Sequence, residues 1–127
     1  MRQMIRAAKP GGRIVLTVPQ HPFLWSGMDE YACHQRRYTR RELRAKLRRA
    51  GAETEYATSF VSILFPVLLA TRLLPRRRCD PVEDLSVSRP LNRALAGVLA
   101  VERWMLRTGV RFPFGGSLLV VARVPSP

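Results

Sequence analysis

At 127 residues the chain has room for about one hydrophobic core, and a hydrophobic fraction of 46% excludes a disordered segment. A formal net charge of +13 invites anionic partners, nucleic acid or a membrane surface. Only Lys9 and Lys46 are lysines, however, and a skew towards arginine equally fits codon bias and a solvated basic face.

Residues 1–8, MRQMIRAA, are compatible with the last turns of a helix. They contain no apolar h-region, so no secretory signal is read. Lys9-Pro10-Gly11-Gly12 then forms a turn whose glycines can take the positive φ of a tight helix-to-strand connection. Residues 13–18 are predicted as the first strand. The run Ile14-Val15-Leu16 suits a strand covered on both faces.

Residues 20–37 read as a loop rich in chemistry-bearing side chains, among them His21, Trp25, Asp29, His34 and Arg37. Thr39 and Glu42 then stand at capping-box spacing, with Tyr38 and Leu43 at the staple positions. The predicted helix buries Leu43, Leu47 and Ala50, carries Arg40, Arg41, Arg44, Lys46 and Arg48 elsewhere, and stops at Gly51.

Residues 53–58 are predicted as a second strand and residues 60–74 as a helix kinked at Pro66. That apolar stretch is shorter than the ~20 residues a membrane-spanning helix needs. Residues 76–81 read as a charged linker and 82–89 as irregular. A further helix starts at Pro90, a favoured first helical position, and runs with apolar residues at helical spacing to Gly109. Residues 112–116 form a turn-rich connection to a third strand over 117–124. Cys33 and Cys79 are too few and too far apart for a disulfide framework or a paired-cysteine zinc site, and are read as reduced in a cytosolic setting. Alternating elements of this kind indicate an α/β sheet in which the first two strands run parallel.

Three segments carry a family resemblance: KPGGRIVLTVP, then DEYACHQRRYTRRELRAKLRRAGAETEYATSF, and finally GGSLLVVARV. Together they resemble the C-terminal half of the class I S-adenosylmethionine-dependent methyltransferases (methyltransferase type 11/12-like). The resemblance implies a Rossmann-like sheet with the family's fifth, sixth and seventh strands here, the last one antiparallel and slotted between the other two. Residues 60–109 would be a helical insertion. Residues 1–127 would then be a partial methyltransferase domain whose N-terminal cofactor-binding half is absent.

The departure from the family concerns the cofactor. Family members hold S-adenosylmethionine on a Gly-rich loop after the first strand. Neither Gly11-Gly12 nor Gly115-Gly116 has the spacing or the flanking strand and helix for that role. No cofactor-binding residue carries over, and the chain is expected neither to bind S-adenosylmethionine nor to methylate anything alone. The first strand would expose an unpaired apolar edge. The chain is therefore expected to be part of a longer polypeptide or half of a split enzyme.

In the family the loop after the fifth strand helps form the acceptor pocket, at the sheet end where open α/β folds bind ligands. On that basis His21, His34 and Asp29 are candidate catalytic residues, and Trp25, Arg37 and Tyr38 candidate contacts to a small-molecule or lipid-like acceptor. An imidazole titrates near neutrality and can take an acceptor proton. Against these stand plainer roles: His34 as a loop hydrogen-bond partner, Tyr38 as the helix staple, Trp25 as a plug at the core edge. Cys33, His34, Asp29 and Glu30 lack the geometry of a metal set.

Two other functions compete. A basic nucleic-acid-binding module would need arginines on one face with interleaved aromatics, of which only Tyr38 is present. Peripheral membrane contact through residues 60–74, flanked by Arg72 and Arg76 to Arg78, would set apolar side chains beside cations at an anionic interface.

Overall fold

The computed structural model describes residues 1–73 and 88–126. Helix α1 (Arg2–Ala7) leads through a turn into strand β1 (Arg13–Pro19). Gly11 takes φ +72° in that turn, where a side chain would be strained. A single 3-10 turn (Pro22–Leu24) and a short helix α2 (Gly27–Tyr31) interrupt the stretch predicted as loop. Helix α3 (Arg40–Arg49) precedes strand β2 (Glu53–Phe60). Helices α4 (Phe65–Leu73) and α5 (Arg89–Arg107) follow, and strand β3 (Ser117–Arg123) ends the fold.

The sheet order is β1-β3-β2, with β3 antiparallel to both neighbours. Strands β1 and β2 therefore run in the same direction without touching. The register is continuous along β1, from Arg13 opposite Arg123 to Pro19 opposite Ser117. On β2 it shifts between Thr54 and Tyr56, so Glu55 is the extra residue of a bulge.

Helix α3 forms because its cap is satisfied and its apolar stripe has a floor to cover. The Thr39 hydroxyl accepts from the Glu42 amide at 3.2 Å, and the Glu42 carboxylate accepts from the Thr39 amide at 3.0 Å. Backbone and hydroxyl donation from Thr39 holds the Glu42 carboxyl below its ordinary value. Leu43 and Leu47 drop onto Leu118, Val120 and Ala122 of β3, and Ala52 closes the same cluster. Each fully buried leucine contributes roughly 1.5–3 kcal/mol. Met1 and Ile5 bring α1 onto the same face of the sheet.

That core lies on one side only. Val15, on the opposite face, is 62% exposed, so β1 is not covered on both faces as its apolar run predicts. The run Ile14-Val15-Leu16 buries alternate residues, because the helices packed on the sheet here all use the Leu16 side.

The kinked helix over 60–74 also needs correction. Pairing of β2 with β3 continues to Phe60 opposite Ser117, which keeps the chain extended through residue 60. Val61 then takes φ +58°, an outlier for a β-branched side chain, and reverses the direction. Helix α4 starts only at Phe65, so Pro66 occupies the first turn, where its missing N–H is harmless, instead of kinking a helix middle. The predicted linker 76–81 and residues 82–87 of the irregular stretch lie outside the described residues.

Helix α5 is tied to this turn by one buried carboxylate. Glu102, 2% exposed, accepts from the backbone amides of Ser62 at 2.8 Å and Ile63 at 3.0 Å. A carboxylate taking two amides just ahead of α4 satisfies donors that the turn leaves orphaned. Glu102→Ala is expected to lower stability by about 2 kcal/mol and to speed hydrogen exchange at Ser62 and Ile63. Denaturant melts with amide-resolved exchange would check both effects.

Candidate functional site

The turn after β1, the turn after β2 and the approach to β3 meet at one edge of the sheet. Gly116 joins them: its carbonyl accepts from the Gln20 amide at 3.0 Å and its amide donates to the Val61 carbonyl at 3.3 Å. A Cβ added at Gly115 would lie 2.4 Å from the Phe60 carbonyl oxygen, so only glycine permits this approach.

His21 stands at the centre of this edge. Its φ of +63° is unusual for a residue with a side chain. Two backbone bonds hold it there, from its own amide to the Tyr38 carbonyl at 3.1 Å and from the Leu24 amide to its carbonyl at 3.0 Å. The imidazole packs among three phenylalanines from three segments: Phe23 at 5.2 Å, Phe65 at 5.3 Å and Phe114 at 6.4 Å between ring centroids. Its Nε2 is buried without a hydrogen-bond partner, and so are Gln20 Oε1 and Ser62 Oγ. Burial, then the Arg37 cation, push the His21 imidazole below its ordinary value, which keeps it neutral at pH 7. The unpartnered ring nitrogen is closed off from solvent, and the exposed Phe23 and Phe114 are the side chains whose movement would uncover it.

Asp29, His34 and Arg37 form a closed network beside it. Asp29, 2% exposed, takes both arms of Arg37, Nε on Oδ1 at 3.0 Å and the terminal nitrogen on Oδ2 at 2.9 Å. His34 Nδ1 lies 3.1 Å from Oδ1, and the Ser26 amide and hydroxyl donate to Oδ2 at 3.0 and 3.1 Å. The last guanidinium nitrogen reaches the Gln20 carbonyl at 2.9 Å. Burial alone would raise the Asp29 carboxyl; bonds from Arg37, His34 and Ser26 outweigh it and hold the carboxyl below its ordinary value. Every lone-pair direction of that carboxylate is occupied. The network therefore positions Gln20 and His21 and leaves neither Asp29 nor Arg37 free for a ligand.

The side chains of Tyr38 and Trp25 have other partners. Tyr38 packs against the core, with Arg36 at 4.6 Å and Lys46 at 4.9 Å from its ring centre, as a staple would. Trp25 donates to Glu30 at 3.3 Å on the outer side of the loop. Phe65 and Phe114 are site residues that linear reasoning passes over. Nothing in their spacing marks them, although the paired glycines after Phe114 signal a close backbone approach.

Both glycine pairs are held in turns. The Gly11 amide and the Gly12 carbonyl are bonded to Val124 at 2.9 Å each, while Gly115-Gly116 is packed against the turn after β2. Among the described residues, no three His, Cys, Asp or Glu side chains converge on a metal site, and no helix is long and apolar enough to cross a membrane. No protein-family model, curated protein or solved structure matches the chain.

Proposed function

We propose that this chain forms the acceptor-binding side of an S-adenosylmethionine-dependent methyltransferase and that another segment supplies the cofactor-binding side. The observation that carries this reading is strand β3 running antiparallel between β1 and β2, the order the sequence resemblance implies for the family's last three strands. The exposed Val15 face and the outer edge of β1, unpaired among the described residues, are the surfaces such a segment would cover. His21 then sits at the carboxyl end of β1, where open α/β sheets bind ligands. The chain's own share of the chemistry is to hold an apolar acceptor among Phe23, Phe65 and Phe114, exclude water and, once a phenylalanine turns aside to uncover the buried His21 Nε2, accept the acceptor's proton there.

The test joins or co-expresses the chain with whatever is encoded immediately upstream and titrates S-adenosylmethionine by calorimetry. Binding by the combined protein, with none by residues 1–127 alone, is the expected result. Tight binding by the chain alone, or an upstream sequence without a strand, Gly-rich loop and helix in that order, would overturn the proposal.

A further inference from the structure

Helix α3 carries far more positive charge than its packing requires. Leu43 and Leu47 make the core contact and Glu42 completes the cap, which accounts for the inner face and the first turn. On one flank, Arg40, Arg41, Arg44 and Arg48 line a groove of about 660 Å³ whose other wall includes Glu53 and Thr54 at the start of β2. Among the described residues none of these four arginines is paired with a carboxylate. Arg40 is anchored, donating to the Phe112 carbonyl at 2.7 Å and to Ser59 Oγ at 3.3 Å, while its Nε is buried without a partner. Codon bias scatters arginines; it does not gather four of them along one concave flank.

Spacing and surroundings narrow the ligand. Arg40, Arg44 and Arg48 recur every fourth residue, so their attachment points follow one another about 6 Å apart along the helix. A regular row of cations suits a regular row of anions, which a nucleic-acid strand supplies and an irregular acidic peptide does not. A bilayer would need apolar side chains to insert beside the charges. The exposed large ones, Phe23, Trp25, Val67, Trp104 and Phe114 among them, are not part of the groove lining, whose apolar side chains are Ala45 and Ala52 alone. No aromatic ring lines the groove, which excludes the base-stacking platform used for single strands.

We propose that this groove binds the phosphodiester backbone of duplex nucleic acid without reading its sequence. Phosphate contacts of this kind give affinity and register, and recognition of bases is not required. The site is independent of the methyl-transfer reading, since it lies along the α3 flank and uses none of the residues around His21.

Fluorescence anisotropy with a labelled random-sequence duplex, repeated across a salt series, tests it. The triple variant Arg41→Ala, Arg44→Ala, Arg48→Ala is expected to bind at least about tenfold more weakly at low salt, with the log-log salt slope shallower by about 3. These side chains are exposed and alanine is a strong helix former, so α3 persists. The triple Arg→Lys variant keeps the charges and is expected to retain the slope. A control removing the same charge from α5 (Arg93→Ala, Arg103→Ala, Arg107→Ala) should stay within about threefold of the parent. Equal losses in the α3 and α5 variants would mean bulk charge alone and overturn the proposal. So would absence of duplex binding at low salt, or binding to anionic vesicles or an acidic peptide in preference to the duplex.

Discussion

Replacing Asp29 by alanine is expected to destabilise the folded chain by about 3–5 kcal/mol, because it strands the Arg37 guanidinium without its anion. The side chain of Arg37 is only 9% exposed and that of Asp29 only 1%, so neither charge can turn to water. Arg37→Ala should cost a similar amount, since the carboxylate then keeps only His34 and Ser26 as donors. The double variant should lose less than the sum of the two singles, by at least about 1 kcal/mol, because the partners are removed together. Urea unfolding of the four proteins measures all of this. Additive losses would mean the two side chains stabilise separate parts of the loop.

The same network gives a pH dependence whose sign follows from linkage. The Asp29 carboxyl is depressed in the folded state, so the unfolded chain binds more protons in the window between its two values. Its contribution is complete above the ordinary carboxylate value and is lost as the pH falls towards the folded one. His21 adds a second acid-side loss. Its imidazole is depressed by burial, then by Arg37, so protonation favours the unfolded chain as the pH drops below the ordinary histidine value. Asp29→Ala should flatten the lower limb and His21→Ala the upper one.

In a protein that carries the complete cofactor site, His21→Ala is expected to reduce methyl transfer about 10²–10⁴-fold, the range for loss of a positioned general base. Binding of S-adenosylmethionine should be unchanged under the proposed division of labour, because the imidazole lies among Phe23, Phe65 and Phe114, on the acceptor side. The parent rate should rise with pH through the depressed His21 value and then level off. His34→Ala separates the two histidines. His34 touches only the Asp29 side of the network, so its loss should alter stability far more than the pH profile. A rate unaffected by His21→Ala would assign the unpartnered Nε2 a purely structural role.

Local chemistry in the sequence determined the elements whose causes are local. The Thr39 and Glu42 pair, the stripe of Leu43 and Leu47, and Gly51 define α3 without reference to anything distant. Strands β1 and β3 follow from short apolar runs bounded by turn residues, and the antiparallel place of β3 agrees with the sequence resemblance. The position of His21 just beyond the end of β1 also follows from where that apolar run stops.

Tertiary structure decided the rest, because the deciding forces act between residues far apart in the chain. Pairing with β3 carried β2 to Phe60 and moved the start of α4 to Phe65, against the local helical pattern. Burial gathers His34 and Arg37 around the Asp29 carboxylate in a closed hydrogen-bonded network, since a charge removed from water must find its partners. Phe65 and Phe114 reach His21 only because three strand ends share one edge. A sequence records which side chains are available; distance in space, set by the sheet order, determines which of them meet.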